Sequence, residues 1–313
     1  GLPGYAFKDP LELPAIQAPK AAKALSLNVA SRGSQVLTVG ERGIVLKRDF
    51  SAGNAAQGVK DNEGQVWTQA KVPVSVNLTG VEFVTDSLAF VVGHDGVVLK
   101  STDAGASWVK VFDGIKANQQ VVAAAKKKMD DMQSRYDAAK PADQEKMNEA
   151  LEAAVFAFED AEAGARFGPA RPLLDVWFKD SKTGWVVGSY GQIFETTDGG
   201  ANWLLIADRL DNPDFRHYNG LYGDETGLML IAGEAGRVYM STDFGVTWTR
   251  FDTGYNGHFY GTVVTRNEAG QPIVFAYGFG GNIYRLGAGA QAWWKLMSPS
   301  KESFVKGLHL GKT

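Results

Sequence analysis

The chain contains no cysteine. Disulfides, thiolate metal sites and cysteine nucleophiles are excluded together. Histidine is scarce: His94, His217, His258 and His309 are the four present. None stands in the H-x-x-x-H or H-E-x-x-H spacing that would hold zinc on one helix face, so no metal or cofactor is expected. An excess of charge of one sign is lacking too, with 35 acidic side chains against 32 basic ones. That balance leaves no basic footprint for nucleic acid, and none is expected as a partner. No apolar run nears the roughly 18 residues of a spanning helix, so no direct membrane span is expected. A nucleophile-elbow serine and a P-loop are also missing. The chain opens Gly1-Leu2-Pro3-Gly4, without methionine. A removed signal peptide and a trimmed end would each produce that start.

Glycine and tryptophan are abundant instead, with 37 and 8 residues. Tight turns alternating with strands that bury large rings would use both. Three stretches align without gaps: 93–108 (GHDGVVLKSTDAGASW), 188–203 (GSYGQIFETTDGGANW) and 233–248 (GEAGRVYMSTDFGVTW). Each reads G-x-x-G, a short apolar strand, then [ST]-T-D-x-G-x-x-W. Two weaker copies flank them. Gly40-Glu41-Arg42-Gly43 leads to Trp67, with Asn62 in the Asp position and Gly64 kept; Gly278-Phe279-Gly280-Gly281 leads to Trp293, with Ala288 in the Asp position. Trp67 to Trp108 is 41 residues, and Trp203 to Trp248 and Trp248 to Trp293 are 45 each. A period in the forties with several short strands per repeat is the signature of a propeller blade. In one repeat, strands are predicted over 80–85, 88–92 and 97–100, with a last one from Trp108, separated by turn residues. The expected fold is an all-β propeller of four-stranded blades. Five blades are visible, 306–310 reads as the first strand of a partial one, and six or seven would complete the ring.

The tail of the repeat explains its own composition. An Asp carboxylate and a Ser or Thr hydroxyl can accept N–H groups within one turn. The Gly takes a backbone angle other residues resist, and the Trp is a wedge between sheets. Ser101, Asp103, Gly105 and Trp108, then Thr196, Asp198, Gly200 and Trp203, then Ser241, Asp243, Gly245 and Trp248 are read as structural staples. A calcium loop, the rival, needs several oxygen ligands and a bidentate acid downstream, and this motif offers one carboxylate.

Residues 115–167 interrupt the pattern between a first propeller part at 1–114 and a second at 168–313. The segment is rich in helix formers. Val121, Val122, Ala125, Met129, Met132 and Tyr136 recur at helical spacing, as do Met147, Leu151, Ala154, Val155 and Phe158. Pro141 suits the first turn of the second helix. A helical hairpin is expected. Its stripes either face only each other or leave apolar surface for a partner; Phe156 beside Phe158 favours the second, since the two point in different directions.

The motif [ST]-x-D-x-G-x-x-W is the Asp-box, or BNR repeat. With its preceding G-x-x-G, the chain resembles the photosystem II stability/assembly factor family over about residues 25–313, apart from the insertion. The resemblance implies a non-catalytic, exported, periplasmic protein that docks on a membrane protein complex. For the relatives outside photosynthetic cells it implies an RND-superfamily exporter of the MMPL type as partner; a photosystem II assembly factor is the alternative. In such a propeller the G-x-x-G turns share one face with the blade-to-blade links. That face would carry Arg42, His94, Tyr190, Arg216, His217, Tyr218, His258, Phe259 and Tyr260. With Met129, Met132, Tyr136, Phe156 and Phe158 of the hairpin they form the expected partner surface. Asp-boxes also occur in sialidases, so a glycosidase using Arg216, Arg237, Glu234, Tyr255 and Tyr260 is a further alternative.

With no ligand cluster at metal spacing, the melting temperature is expected to be the same with and without EDTA; a marked fall in EDTA would reveal a stabilising metal.

Overall fold

The computed structural model describes residues 9–51 and 58–307. Five antiparallel sheets succeed one another along the chain, each built from strands paired in sequence order with one exception. The first comprises Ser26–Arg32, Gln35–Gly40, Val45–Asp49 and Val66–Gln69, with Val59–Lys60 added outside Val66–Gln69. The second comprises Leu78–Phe83, Ala89–Gly93, Val98–Ser101 and Val109–Phe112. Leu173–Phe178, Gly184–Gly188, Ile193–Thr196 and Leu204–Leu205 form the third. Tyr218–Gly223, Met229–Gly233, Arg237–Ser241 and Thr249–Asp252 form the fourth. Phe259–Arg266, Pro272–Gly278, Ile283–Leu286 and Trp293–Leu296 form the fifth. The arrangement is propeller-like. It departs from the expected four strands only in the first sheet, where the longer loop before Trp67 folds back as the added strand.

Why the middle strands are almost wholly apolar follows from what lies on each side. Strand residues alternate between the two faces of a sheet, and here both faces are covered. Ala89 and Val91 enter the core shared with the first sheet, whereas Phe90 and Val92 enter the core shared with the third. All five residues of Ala89–Gly93 are buried, as are all five of Gly184–Gly188 and of Met229–Gly233. The second-to-third interface is aromatic: Phe90 stacks on Phe178 at 4.1 Å between centroids, with Trp203 edge-on at 6.4 Å. Trp177 and Trp185 stack at 5.5 Å in the third sheet.

The first strand of each sheet packs on the first strand of the next. Each has a bulge two residues from its start, as at Leu78/Gly80 and Tyr218/Gly220. Polar side chains at or beside these bulges reach the neighbouring sheet's backbone: Asn28 donates to the Thr79 carbonyl (2.9 Å), Thr79 to Leu173 (2.7 Å) and Asn219 to Phe259 (2.9 Å). Two carboxylates do the converse. Glu82 accepts from the Phe178 N–H and Asp175 from the Leu221 N–H, both at 2.9 Å. Burial, and for Glu82 also the nearby Asp175 charge, pushes both above the ordinary carboxylate range. Sheets are thus joined by apolar wedges outside and polar staples at the inner strands.

Two helices separate the second and third sheets: α1, Gly114–Ala138, and α2, Pro141–Arg166. Asp113 caps α1 by accepting from Ile115 and Lys116 N–H, and Pro141 occupies the first turn of α2. The helices pack on each other, and at about 1.5 Å per residue each is on the order of 37 Å long. Only the base touches the sheets. There Gln120 donates to the Trp203 carbonyl (2.7 Å) and accepts from Leu205 N–H (2.8 Å), filling the free edge of the third sheet's last strand as a further strand would. Among the described residues no helix is long and apolar enough to cross a membrane. Of the strand expected at 306–310, residues 308–310 lie outside the described residues, and no strand is present between 297 and 307.

Phe90 is fully buried between two sheets. Phe90→Ala should cost roughly 3–5 kcal/mol, the usual size for deleting a buried ring, read as a shift in the denaturation midpoint at unchanged slope.

Candidate functional site

One face of the molecule is held by side-chain hydrogen bonds. In the second sheet's Asp-box, Ser101 Oγ donates to Asp103 (2.7 Å) and accepts from Gly105 N–H (2.9 Å). Asp103 also accepts from the Ser107 N–H (2.9 Å), and the Trp108 indole donates to the Gly105 carbonyl (3.1 Å). Thr196, Asp198 and Gly200 repeat the arrangement with Asn202, and Ser241, Asp243 and Gly245 repeat it with Thr247. The residue before each Trp is therefore a member of the box. Sequence reasoning passed over it, although Ser107, Asn202 and Thr247 are all short and polar. Trp248 bonds Gly245 as Trp108 bonds Gly105, whereas the Trp203 indole N–H makes no hydrogen bond, being buried among Phe90, Phe112 and Phe178. In the first sheet the acid is Asp61, not the expected position of Asn62. It accepts from Glu63 and Gln65 N–H and from the Trp67 indole (3.0 Å).

These bonds favour the ionised carboxylates. At Asp103 burial opposes ionisation, but the Ser107, Ser101 and Ala106 donors outweigh it and hold the group down to about 2. Asn202 N–H and side chain do the same at Asp198, and Thr247 side chain and N–H at Asp243, each again down to about 2.

The opposite face is held by backbone fit. In each G-x-x-G turn the third residue is left-handed: Arg42, Asp95, Tyr190, Ala235 and Gly280 have φ between 53° and 65°. The following Gly is left-handed too, and it lies against the link to the next sheet. A Cβ at Gly236 would strike the Tyr255 carbonyl, and one at Gly96 would come within 2.7 Å of Gly114. The third residue is exposed at Arg42 and Tyr190 and half-buried at Asp95, Ala235 and Gly280; with His94, the second residue of its turn, Arg42 and Tyr190 are displayed to solvent on this face.

Beside Tyr190 the sites converge. Arg171 lies over the Tyr190 ring at 4.8 Å, and His217 packs against it at 4.9 Å. Glu234 stands between two imidazoles, with His217 Nδ1 at 3.6 Å and His258 Nδ1 at 3.7 Å, and accepts the His217 N–H at 2.9 Å. The loop bearing Arg216 is fixed by Asn212, whose amide bonds both Arg216 N–H (3.0 Å) and its carbonyl (2.9 Å). Two expected contact residues are corrected. Tyr218 and Phe259 are fully buried, because the first residue of each inner strand points into the preceding sheet. Burial also pushes the Tyr218 hydroxyl far up. Tyr260 is half-buried at its strand's bulge. Arg171 and Phe215 were not among the expected residues. Neither belongs to the repeat, and nothing in the sequence separates them from ordinary loop residues.

On the hairpin, Met129, Met132, Tyr136 and Phe158 are half-buried, turned into the seam between the helices, whereas Phe156 is 70% exposed. Of the residues considered for glycosidase chemistry, Arg237 is taken up by Asp214 (2.9 Å) and Asp252 (3.4 Å), Glu234 by His217, and Tyr255 donates to the Phe279 carbonyl (3.1 Å). Among the described residues no group of three or more His, Asp or Glu could hold a metal ion.

Residues 167–304 match the family model described as photosynthesis system II assembly factor YCF48. The photosystem II assembly lipoprotein Ycf48 of Synechococcus sp. (strain CC9902) is 36% identical over 124 residues, 38% of this chain and 35% of that protein. The chain thus spans about a third of the length of the curated relative it matches. Among solved structures, YCF48 bound to D1 peptide superposes with a TM-score of 0.52 at 15% identity, over 91% of this chain and 70% of that one. YCF48 from Cyanidioschyzon merolae gives 0.52 at 14%, over 90% and 74%. An ancestral GH74 enzyme gives 0.55 at 13%, over 91% and 32%. At these identities the superpositions show a shared propeller-like fold and nothing more. The family resemblance is supported, and the exporter-associated type is not. The RND/MMPL exporter expected as partner is corrected: the family matched and the relatives found are those of photosystem II assembly.

The box carboxylates lie below their ordinary value near 3.8 in the folded chain. Their stabilisation is complete above that value and is lost as pH falls through about 2. A triple Asp103→Asn, Asp198→Asn, Asp243→Asn variant should melt lower than the parent at neutral pH. Its melting temperature should also fall less steeply across acid pH; identical acid profiles would mean the carboxylates contribute nothing.

Proposed function

We propose that the chain is an exported, non-catalytic assembly factor that holds a segment of a photosystem II subunit of the D1 class on its G-x-x-G face. One observation carries the reading. The stretch that matches the assembly-factor family, 167–304, is the stretch that supplies Tyr190, Arg216, His217 and His258. An aromatic, Arg-bearing surface of this kind suits a protein interface, and one solved relative of the same fold is bound to a D1 peptide. The curated relative is a lipoprotein, which supports an exported or lumenal site of action. The staples of the Asp-box face serve the fold and take no part in binding.

The hairpin at 115–167 falls outside the matched stretch, between propeller parts at 1–114 and 168–313. It emerges from the same face as the G-x-x-G turns and carries the exposed Phe156. It acts as a second contact that lengthens the time the partner is held, while Met129, Met132, Tyr136 and Phe158 mainly hold the two helices together.

Detergent-solubilised thylakoid membranes passed over the immobilised chain should yield the D1 subunit. Deleting 116–165 with a short Gly/Ser bridge should leave a folded chain that retains D1 less well, and Arg216→Ala should weaken retention further, most visibly at low salt. Failure of the parent to retain D1 overturns the function; equal retention by the deletion variant removes the hairpin from it.

A further inference from the structure

Seven non-glycine residues have left-handed backbone among the described residues: Arg42, Asp95, Ala104, Tyr190, Phe215, Ala235 and Phe244. Six follow from the two repeated turns. Arg42, Asp95, Tyr190 and Ala235 are third in a G-x-x-G turn, and Ala104 and Phe244 follow the Asp of an Asp-box. Phe215 alone belongs to neither. Its conformation, φ 52°, is one that bulky side chains rarely adopt. The loop around it is built to enforce it. Asn212 clamps both backbone groups of Arg216. Arg237, largely buried, holds Asp214 at 2.9 Å. The Asp211 carbonyl receives the Tyr239 hydroxyl and Arg250.

Strain of this sort is normally tolerated where the side chain gains from it. Phe244 does gain, since its ring lies under Lys179 at 4.7 Å and packs against the apolar core of the third and fourth sheets. The Phe215 ring does not: it is 55% exposed and forms no ring pair or cation contact among the described residues. Tyr190 is the other strained aromatic left in solvent, 49% exposed. It is backed by Arg171 on one side and joined to the Phe215 loop by His217 on the other. Between these loops Arg216 adds a cation. Its nearest acid, Asp214, is 3.9 Å away and already bonded to Arg237.

We propose that Tyr190 and Phe215 form a pre-set aromatic clamp for an extended peptide, gripping one apolar side chain while Arg216 takes a carboxylate next to it. The inference rests on the reading of this face as the D1-binding surface. The repeat turn presents the Tyr190 ring and the strained backbone at Phe215 holds the second ring before the peptide arrives, which spares the complex the entropy of ordering them.

Asparagine accepts left-handed backbone far better than tyrosine or phenylalanine. The double variant Tyr190→Asn, Phe215→Asn therefore removes both rings while relieving strain. It should melt no lower than the parent and bind a fluorescein-labelled D1 peptide about ten-fold or more weakly, as for loss of a hot spot. The same peptide with its carboxylates amidated should bind the parent weakly, and Arg216→Ala should no longer distinguish the two peptides. A double variant that binds like the parent overturns the clamp. So does one that melts well below it, because the rings would then be structural supports. A parent that binds no D1 peptide overturns the function proposed above and the clamp with it.

Discussion

The second glycine of the G-x-x-G turn is the constraint on which the rest of the molecule depends. At Gly43 and Gly236 a Cβ would land on a carbonyl of the link to the next sheet, and at Gly281 on that of Ser300 in the segment after the fifth sheet. Neighbouring sheets can therefore approach only where that position is glycine. The close approach brings the apolar strands within wedge distance and allows the inner-strand staples from Asn28, Thr79, Glu82 and Asp175 to reach across. The residue before that glycine is left-handed in all five turns, and at Arg42 and Tyr190 it is also exposed.

The two faces consequently divide the work. On the Asp-box face, side chains satisfy the turn and little is left over: the carboxylates of Asp103, Asp198 and Asp243 are saturated with donors from their own turn. On the opposite face the backbone satisfies itself, which leaves Arg42, Tyr190 and Arg216 free to differ from sheet to sheet. The hairpin adds to this face without disturbing it. Its helices satisfy each other, and Gln120 ties its base to a strand edge that would otherwise be open.

The function proposed above would make use of this division. A stiff scaffold of sheets keeps two loops, 188–191 and 211–217, at a fixed separation. On the proposed reading, recognition would depend on the few exposed groups these loops carry. The family match over 167–304 covers both loops.

The sequence by itself determined the repeat, and with it the sheets, the Asp-boxes and the helical insertion. Those are local: a Ser and an Asp two residues apart, a glycine in a turn and a stripe at helical spacing act over one or two turns of chain. By alignment, the sequence puts Asn62 in the Asp position, whereas the turn is stapled by Asp61, which accepts from Glu63 and Gln65 N–H and from the Trp67 indole. It misplaced Tyr218 and Phe259, because which face of an inner strand meets the preceding sheet is decided by the bulge two residues on. Only the tertiary structure brought Arg171, Tyr190, His217 and Phe215 together. They come from a link, a turn and a loop on either side of the third sheet. Their grouping arises from contacts between segments up to some forty residues apart, which no local pattern encodes.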